Sequence, residues 1–527
     1  MNRILKFFLN PFRNELVISL WEFFILIYAV DCITWLQKQN YAYCFYVGAH
    51  DFLTAYLLTL LVGIVPLRFR SDARRFLKSI LCCFLVVDLF CMINFHTAFN
   101  EDIAAIVRGT NINEAKEFFQ TFLSVESMLL VMGGMGTLLL VLHLVKSRVQ
   151  QLLSYSFPCQ RSNRIFLAFH ALAVVASILL MVRNPIWGET VLGKFYNLFS
   201  QESVPNLKDY YTHPVLEQTD SLQPENIVLI IGESLSKGHT SLYGYEKETN
   251  PFLTKLKEEQ LLYTFSKVQS AEIGTIAAFK SIMAAWKPAY EDSVKWFECC
   301  TLPEIMQTAG YATRWISNQS ARGLFDNIIG EYAALCDTSL FAGNKFSGLD
   351  RKTLDEETIA LARPFVQDSI SRQKSWYVIH LMGNHFDFKQ RYPAHYAKFN
   401  PSDYTAYPEP QRQKRSEYDN SVLYNDSVVY ELMNLFSEKE ALVFYFPDHG
   451  LDIYKSSPSY IGHGKANDAI SVKAAKQIPF MVYASPSYQQ RFPQTMKCIK
   501  EHVDTPFETD QMIRMIMKVA GVKFKEK

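Results

Sequence analysis

The long apolar runs of this 527-residue chain are almost all confined to the part before residue 185. Five stretches, near residues 16–37, 52–68, 76–95, 125–145 and 165–182, each approach the ~20 residues that a helix needs to cross a bilayer core. A cleaved signal peptide does not fit, because four further runs follow the first. The pattern predicts an N-terminal α-helical transmembrane domain of five helices over residues 1–183.

Basic residues then set an orientation. Arg68, Arg70, Arg74, Arg75 and Lys78 crowd the expected loop between the second and third spans. Lys146, Arg148, Arg161 and Arg164 do the same between the fourth and fifth, whereas 96–124 is acidic on balance. The positive-inside rule places both basic loops, and the N-terminus with Arg3, Lys6 and Arg13, in the cytoplasm. Five crossings put everything after residue 183 on the far side, which in a bacterium is the periplasm or exterior. The expected localisation is a multi-pass protein of the bacterial inner membrane with a periplasmic domain. Glu22, Asp31 and Asp88 fall within or at the ends of spans, where an acid is a functional suspect; an interfacial position accounts for them equally well.

Beyond the spans, residues 184–223 read as an interfacial connector, with Trp187, Phe195, Tyr196 and Phe199 suited to helices lying on a membrane surface. From Asn226 the pattern changes to short β-rich runs between helical segments. Candidate strands are 226–231, 312–317, 376–381, 441–446 and 479–483, and helices are expected over 418–437 and 510–520. Near-continuous apolar character fits strands buried on both faces of a mainly parallel sheet. An α/β domain is therefore expected over 224–527.

Net charge is +1, so the electrostatic footprint of a nucleic-acid partner is missing. The ten cysteines show no CxxC spacing, which argues against a cysteine-rich zinc site. Pairing of Cys299 or Cys300 with Cys336 and free thiols are equally open.

Functional groups of open α/β sheets gather past the carboxyl ends of the strands. Three runs here end in metal-binding types: NIVLII into Gly232-Glu233-Ser234, WYVIHL into Met382-Gly383-Asn384-His385, and ALVFYF into Pro447-Asp448-His449-Gly450. His463 follows in Ile461-Gly462-His463-Gly464. Carboxylates and imidazoles from separate strands can converge on one divalent ion, and the mixed set suits zinc. Each piece alone is as well explained by an ordinary surface or core residue; their joint occurrence at strand ends is not. A cation beside a hydroxyl makes a nucleophile. Ser234, Ser236, Thr240, Ser270 and Thr275 are the candidates, and position alone does not choose among them.

The segments NIVLIIGESLSKGHTSLYGYEKETNPFL, HLMGNHFDFKQRYP, YDNSVLYNDSVV and FPDHG…IGHGK, in that order behind five apolar runs, resemble the phosphoethanolamine transferases of the alkaline phosphatase–sulfatase superfamily. The resemblance implies that Glu233, Asp448 and His449 are zinc ligands, with one Zn2+ expected and room for a second. Thr275, in Gly274-Thr275-Ile276-Ala277, would be the nucleophile and also touch the metal, Ser270 being the alternative; His385 and His463 would face the substrate phosphate or a second zinc. RGTNINEAKEF resembles the family's head-group segment, so Thr110 and Glu114 would approach the ethanolamine ammonium. Where some members carry Asn four residues before that threonine, this chain has Ile106. Arg322 would add a phosphate contact.

The implied reaction takes phosphoethanolamine from phosphatidylethanolamine to a lipid or glycan acceptor of the envelope, such as lipid A or the lipopolysaccharide core, through a phosphothreonine. Alternatives are a phosphoglycerol transferase or metal-dependent phosphohydrolase of the same superfamily and, from another class, a metal-free binding or sensor module. A sulfatase of the formylglycine type needs a C/S-x-P-x-R setting, which 272–279 does not offer.

Overall fold

A computed structural model describes residues 14–37, 41–95, 125–154, 205–220, 222–286, 294–321, 328–342, 353–368, 373–458, 460–463 and 468–525, with isolated positions between them. The chain divides into two compact units, one carrying the N-terminal helices and one running from Glu202 onward.

Four long helices form the described part of the first unit: α1 (Asn14–Gln37), α2 (Tyr41–Ile64), α3 (Leu67–Phe95) and α4 (Val125–Ser154). Three helical segments, Val47–Ile64, Leu67–Asn94 and Val125–Arg148, are long and apolar enough to cross a membrane. The expected first span falls on α1, and the expected fifth lies outside the described residues apart from isolated positions. Phe23, Leu26, Ile27 and Val30 of α1 pack with Leu81 and Leu85 of α3 in a shared core. On α4, Leu129, Leu130, Met132, Leu140 and Leu144 are instead exposed. Apolar surface of that extent marks a face made for lipid or another apolar partner.

The second span ends at Ile64 rather than near 68, because Pro66 lacks the amide that would continue the helix. The basic cluster expected in a loop occupies the first turns of α3 instead. Arg70 shows what it does there: its Nε donates to Val65 O at 2.9 Å and its Nη2 to Gly63 O at 2.5 Å, capping the open carbonyls of α2. The suspect acids have partners. Glu22 Oε2 lies 3.1 Å from Lys78 Nζ. Asp88 Oδ2 pairs with Lys194 Nζ at 2.8 Å, while its Oδ1 accepts from Phe99 N at 2.7 Å. Asp31 is fully buried against Asp51.

The second unit is built on a seven-stranded sheet. Its strands are β1 (Asn226–Gly232), β2 (Leu262–Thr264), β3 (Ala312–Ser317), β4 (Thr338–Phe341), β5 (Ser375–His380), β6 (Ala441–Pro447) and β7 (Met481–Ala484). The spatial order is β2-β7-β6-β1-β5-β3-β4. Pairings from β6 across to β4 are parallel, but β7 runs antiparallel to both β6 and β2. The sheet is therefore mixed, mainly parallel as expected, with an antiparallel edge at β7 and β2. Two expected strands shift by a residue or two, and 312–317 is β3 as expected.

Alternation along β1 sorts its side chains between two cores. Ile227, Leu229 and Ile231 enter one, with Phe279, Ile282 and Met283 of α5 (Thr275–Met283) and Ile513, Ile516 and Met517 of α7 (Met512–Val519). Val228 and Ile230 enter the other, with Tyr418, Val422, Val429 and Met433 of α6 (Glu409–Leu435). Covering both faces is what lets a central parallel strand be apolar throughout.

Part of the expected connector belongs to this unit. Leu216–Gln218 pairs antiparallel with Val522–Phe524, and Leu207 is buried in the same core as β1. Cys299, Cys300 and Cys336 are free thiols.

Candidate metal centre and active site

Register decides where the chemistry collects. Ile231 pairs with His380 of β5 and Gly232 with Pro447 of β6, so the three strands end at one level. The residues that follow, Glu233, Leu381 and Asp448, leave the sheet at the same edge. Backbone bonds tie the exits together: Leu381 N donates to Ile231 O at 2.9 Å, Asp448 N to Gly232 O at 3.0 Å and Asn384 N to Glu233 O at 2.9 Å.

Glu233, Asp448 and His449 meet there, all buried, with one potential ligand atom from each within 4.8 Å of the others. His449 Nε2 lies 3.3 Å from Glu233 Oε1 and 3.5 Å from Asp448 Oδ2. Its Nδ1 is 2.8 Å from Gly450 O, which leaves Nε2 as the atom facing the carboxylates. Thr275 arrives from a different element, at the first position of α5 behind Gly274. Its Oγ1 donates to Glu233 Oε2 at 3.0 Å and lies 3.3 Å from His449 Nε2. No side chain caps this helix, so its first N–H groups remain available to an anion.

The charges are out of balance. Burial works to raise Glu233, but His449, with His385 and His463 adding to it, holds its carboxyl well below the usual range. Burial, then the Glu233 charge, pushes Asp448 well above that range. Burial opposes charge on His449, yet Asp448 and Glu233 outweigh it and lift the imidazole to about 9. Asp448 Oδ2 is buried with no hydrogen-bond partner among the described residues. Two carboxylates, one imidazole and an unsatisfied buried oxygen are what a divalent cation would complete, and the donor set fits zinc.

The other expected residues divide clearly. The His463 ring centre lies 4.4 Å from that of His449 with the planes tilted by 47°, and burial with the neighbouring His449 pushes it down to about 3, so it stands neutral. His385 acts electrostatically on Glu233 and His463, its Nδ1 lying 2.7 Å from Phe386 O. Thr110, Glu114 and Arg322 lie outside the described residues. Among the hydroxyls, Ser234 donates to Glu233 Oε1 at 2.7 Å and supports the carboxylate. Ser270 is fully buried and donates to Asp448 O at 2.5 Å, and Thr240 is spent on Ser236 O. Of the five candidates, Thr275 alone touches both Glu233 and His449.

Two residues at this edge, Gln319 and Asp355, escape a reading of the sequence, and a third, Gly383, shows there only as part of a motif. Gln319 Nε2 reaches Glu233 Oε2 at 3.4 Å and Leu381 O at 3.1 Å. Asp355 accepts from Met382 N, Gly383 N and Asn318 Nδ2, each at 2.8 Å, and so fixes the loop after β5. Gly383, at φ +53, lies so close to Glu233 that a Cβ would stand 2.7 Å from its amide nitrogen and 2.8 Å from its carbonyl oxygen. Its position in Met-Gly-Asn-His was the only available signal.

A family model described as Sulfatase matches residues 225–522, more than half of the chain. The chain belongs to the sulfatase family. This sulfatase-family chain is 27% identical over 310 residues to phosphoethanolamine transferase EptC of Escherichia coli (strain K12), covering 57% of the chain and 52% of that protein. It thus spans about half the length of the curated relatives it matches first. Its fold matches the zinc complex of the C-terminal periplasmic domain of EcEptC from Escherichia coli with a TM-score of 0.53 and 25% identity, over 59% of the chain and 86% of that structure. The integral membrane lipooligosaccharide phosphoethanolamine transferase A of Neisseria meningitidis matches at TM-score 0.64 and 16% identity, over 96% and 95% of the two chains. That likeness shows a shared fold along nearly the whole length.

Proposed function

We propose that this protein is a zinc-dependent phosphoethanolamine transferase of the bacterial inner membrane, acting from the periplasmic face. The donor is phosphatidylethanolamine and the acceptor a lipid or glycan of the envelope. The observation that carries the reading is Thr275 Oγ1, at a helix N-terminus and within 3.0 Å of Glu233 and 3.3 Å of His449. The EptC relatives, which are named phosphoethanolamine transferases, support the identity of the transferred group.

Glu233, Asp448 and His449 would hold the zinc, which, when bound, lowers the pKa of a neighbouring hydroxyl and offsets charge on phosphoryl oxygens. Thr275 Oγ attacks the donor phosphorus, and its proton has Glu233 Oε2 as the nearest acceptor. The bond from phosphorus to the diacylglycerol oxygen breaks, and that oxygen takes a proton from His385 and leaves as diacylglycerol, with phosphoethanolamine on Thr275. The uncapped N–H groups of α5 suit the phosphoryl oxygens. In the second half-reaction an acceptor oxygen displaces Thr275; His385, with neutral His463 near it, takes the acceptor's proton, and the proton held by Glu233 returns to Thr275 Oγ. Thr110, Glu114 and Arg322 remain the proposed head-group and phosphate contacts, by resemblance.

Incubation with phosphatidylethanolamine and no acceptor should add the mass of phosphoethanolamine to the Thr275 peptide, and chelation should abolish the adduct until zinc is restored. A labelled Ser270 beside an unmodified Thr275 would sink the assignment. Labelling from phosphatidylglycerol in place of phosphatidylethanolamine would shift the reading to phosphoglycerol transfer.

A further inference from the structure

The α/β unit holds a second concave feature away from the strand ends. A cavity of about 460 Å³ opens where the chain leaves α5, bounded by Trp286, Ile513, Met517 and Val522. Its volume is that of a small-molecule pocket, and its walls are mostly apolar. Arg514 and Lys518, one turn apart on the exposed side of α7, stand at its rim. Lys523 also lines it and is engaged with Glu217 at 2.6 Å, and Asp510 is the one acid among the lining residues. The lining therefore combines an apolar interior with an excess of positive charge.

We propose that this cavity binds a lipid with an anionic head group, one acyl chain entering between Trp286 and Met517 while Arg514 and Lys518 hold the head group. The chemistry is specific in both halves. An uncharged apolar ligand leaves the positive excess of the rim unmatched, since Asp510 can offset only one of Arg514 and Lys518, and a soluble anion leaves the apolar walls in water. Lipid is a class of partner for which the same chain is otherwise equipped, because it carries three helical segments fit to cross a membrane. The pocket also abuts the catalytic frame: α7 and the turn before it pack on α5, and Thr509 Oγ1 accepts from Ala271 N at 2.9 Å, in the segment leading to Thr275. The inference does not depend on which group the metal centre transfers.

The test uses the full chain in mixed detergent micelles with phosphatidylglycerol or phosphatidylcholine carrying brominated acyl chains, which quench tryptophan on contact. The Trp286 contribution is the difference between wild type and Trp286→Phe. Phosphatidylglycerol should quench it at concentrations about tenfold below those needed for phosphatidylcholine. The Arg514→Glu/Lys518→Glu double variant should lose that preference, and Lys518→Gln alone, a milder change on an exposed face, should reduce it. Equal quenching by the two lipids, or an unaltered preference in a Lys518→Gln variant with wild-type melting, would overturn the proposal. Phosphothreonine labelling, measured in parallel, reports separately on the metal centre.

Discussion

Ser234 holds the Glu233 carboxylate from outside the ligand set, at 2.7 Å. Partners of this kind tune ligand orientation, so Ser234→Ala should weaken zinc binding about tenfold in chelator competition, with the fold intact. Unchanged affinity would show that the hydroxyl is idle. His380, at the end of β5, is fully buried, and burial pushes its imidazole down to about 4. Its folded pKa is lowered, so the unfolded chain binds the extra proton between about 6.5 and about 4. The stability it leaves in place above that window is lost as pH falls through it, by up to about 1.4 kcal/mol per pH unit. His380→Asn should flatten this slope in acid unfolding. Glu233, Asp448 and His449 were legible as a candidate metal group because each comes within three residues of the end of an apolar run. Gln319 and Asp355 were not, since a polar residue after a strand or before a helix looks the same whether or not it reaches a carboxylate or a distant loop.

Elements were legible in proportion to their length and apolar pattern. β3 was read to the residue, and β1 and β6 nearly so. β2 and β4, three and four residues long, offer too little periodicity to find. Helix α6 begins nine residues before the expected start, because its first turns, Glu-Pro-Gln-Arg-Gln-Lys-Arg-Ser-Glu, carry no apolar stripe. Nor could a run of apolar residues say that β7 is antiparallel; orientation is settled by chain connection, not composition. The loop after β5 provides the sharpest test at this scale. Gly383→Ala puts a Cβ against the Glu233 backbone at a positive φ, and should cost about 1–3 kcal/mol and release zinc together. Deep in the sheet, Leu229→Ala should cost about 2–5 kcal/mol by cavity formation. A calorimetric melt of each variant with zinc analysis checks both, and a Gly383→Ala protein that retains its metal would contradict the close-approach argument.

Across the whole molecule, the proposed orientation predicts that protease added to spheroplasts cleaves off the unit after Glu202 while the N-terminal helices stay protected. Protection of both would reverse the topology. The central place of β6 has a further meaning for how the chain comes to life. β6 lies between β7 and β1, and brings Asp448 to Ser234, 214 residues earlier in the chain. As the polypeptide emerges, Glu233 and Thr275 appear early but lack two of their three metal-centre companions until β6 is threaded into the middle of the sheet. Non-local pairing of this sort forms late. On the proposed reading, a chain in which β6 is not yet in place holds no complete metal centre, so metal capture would report that the middle of the sheet has closed.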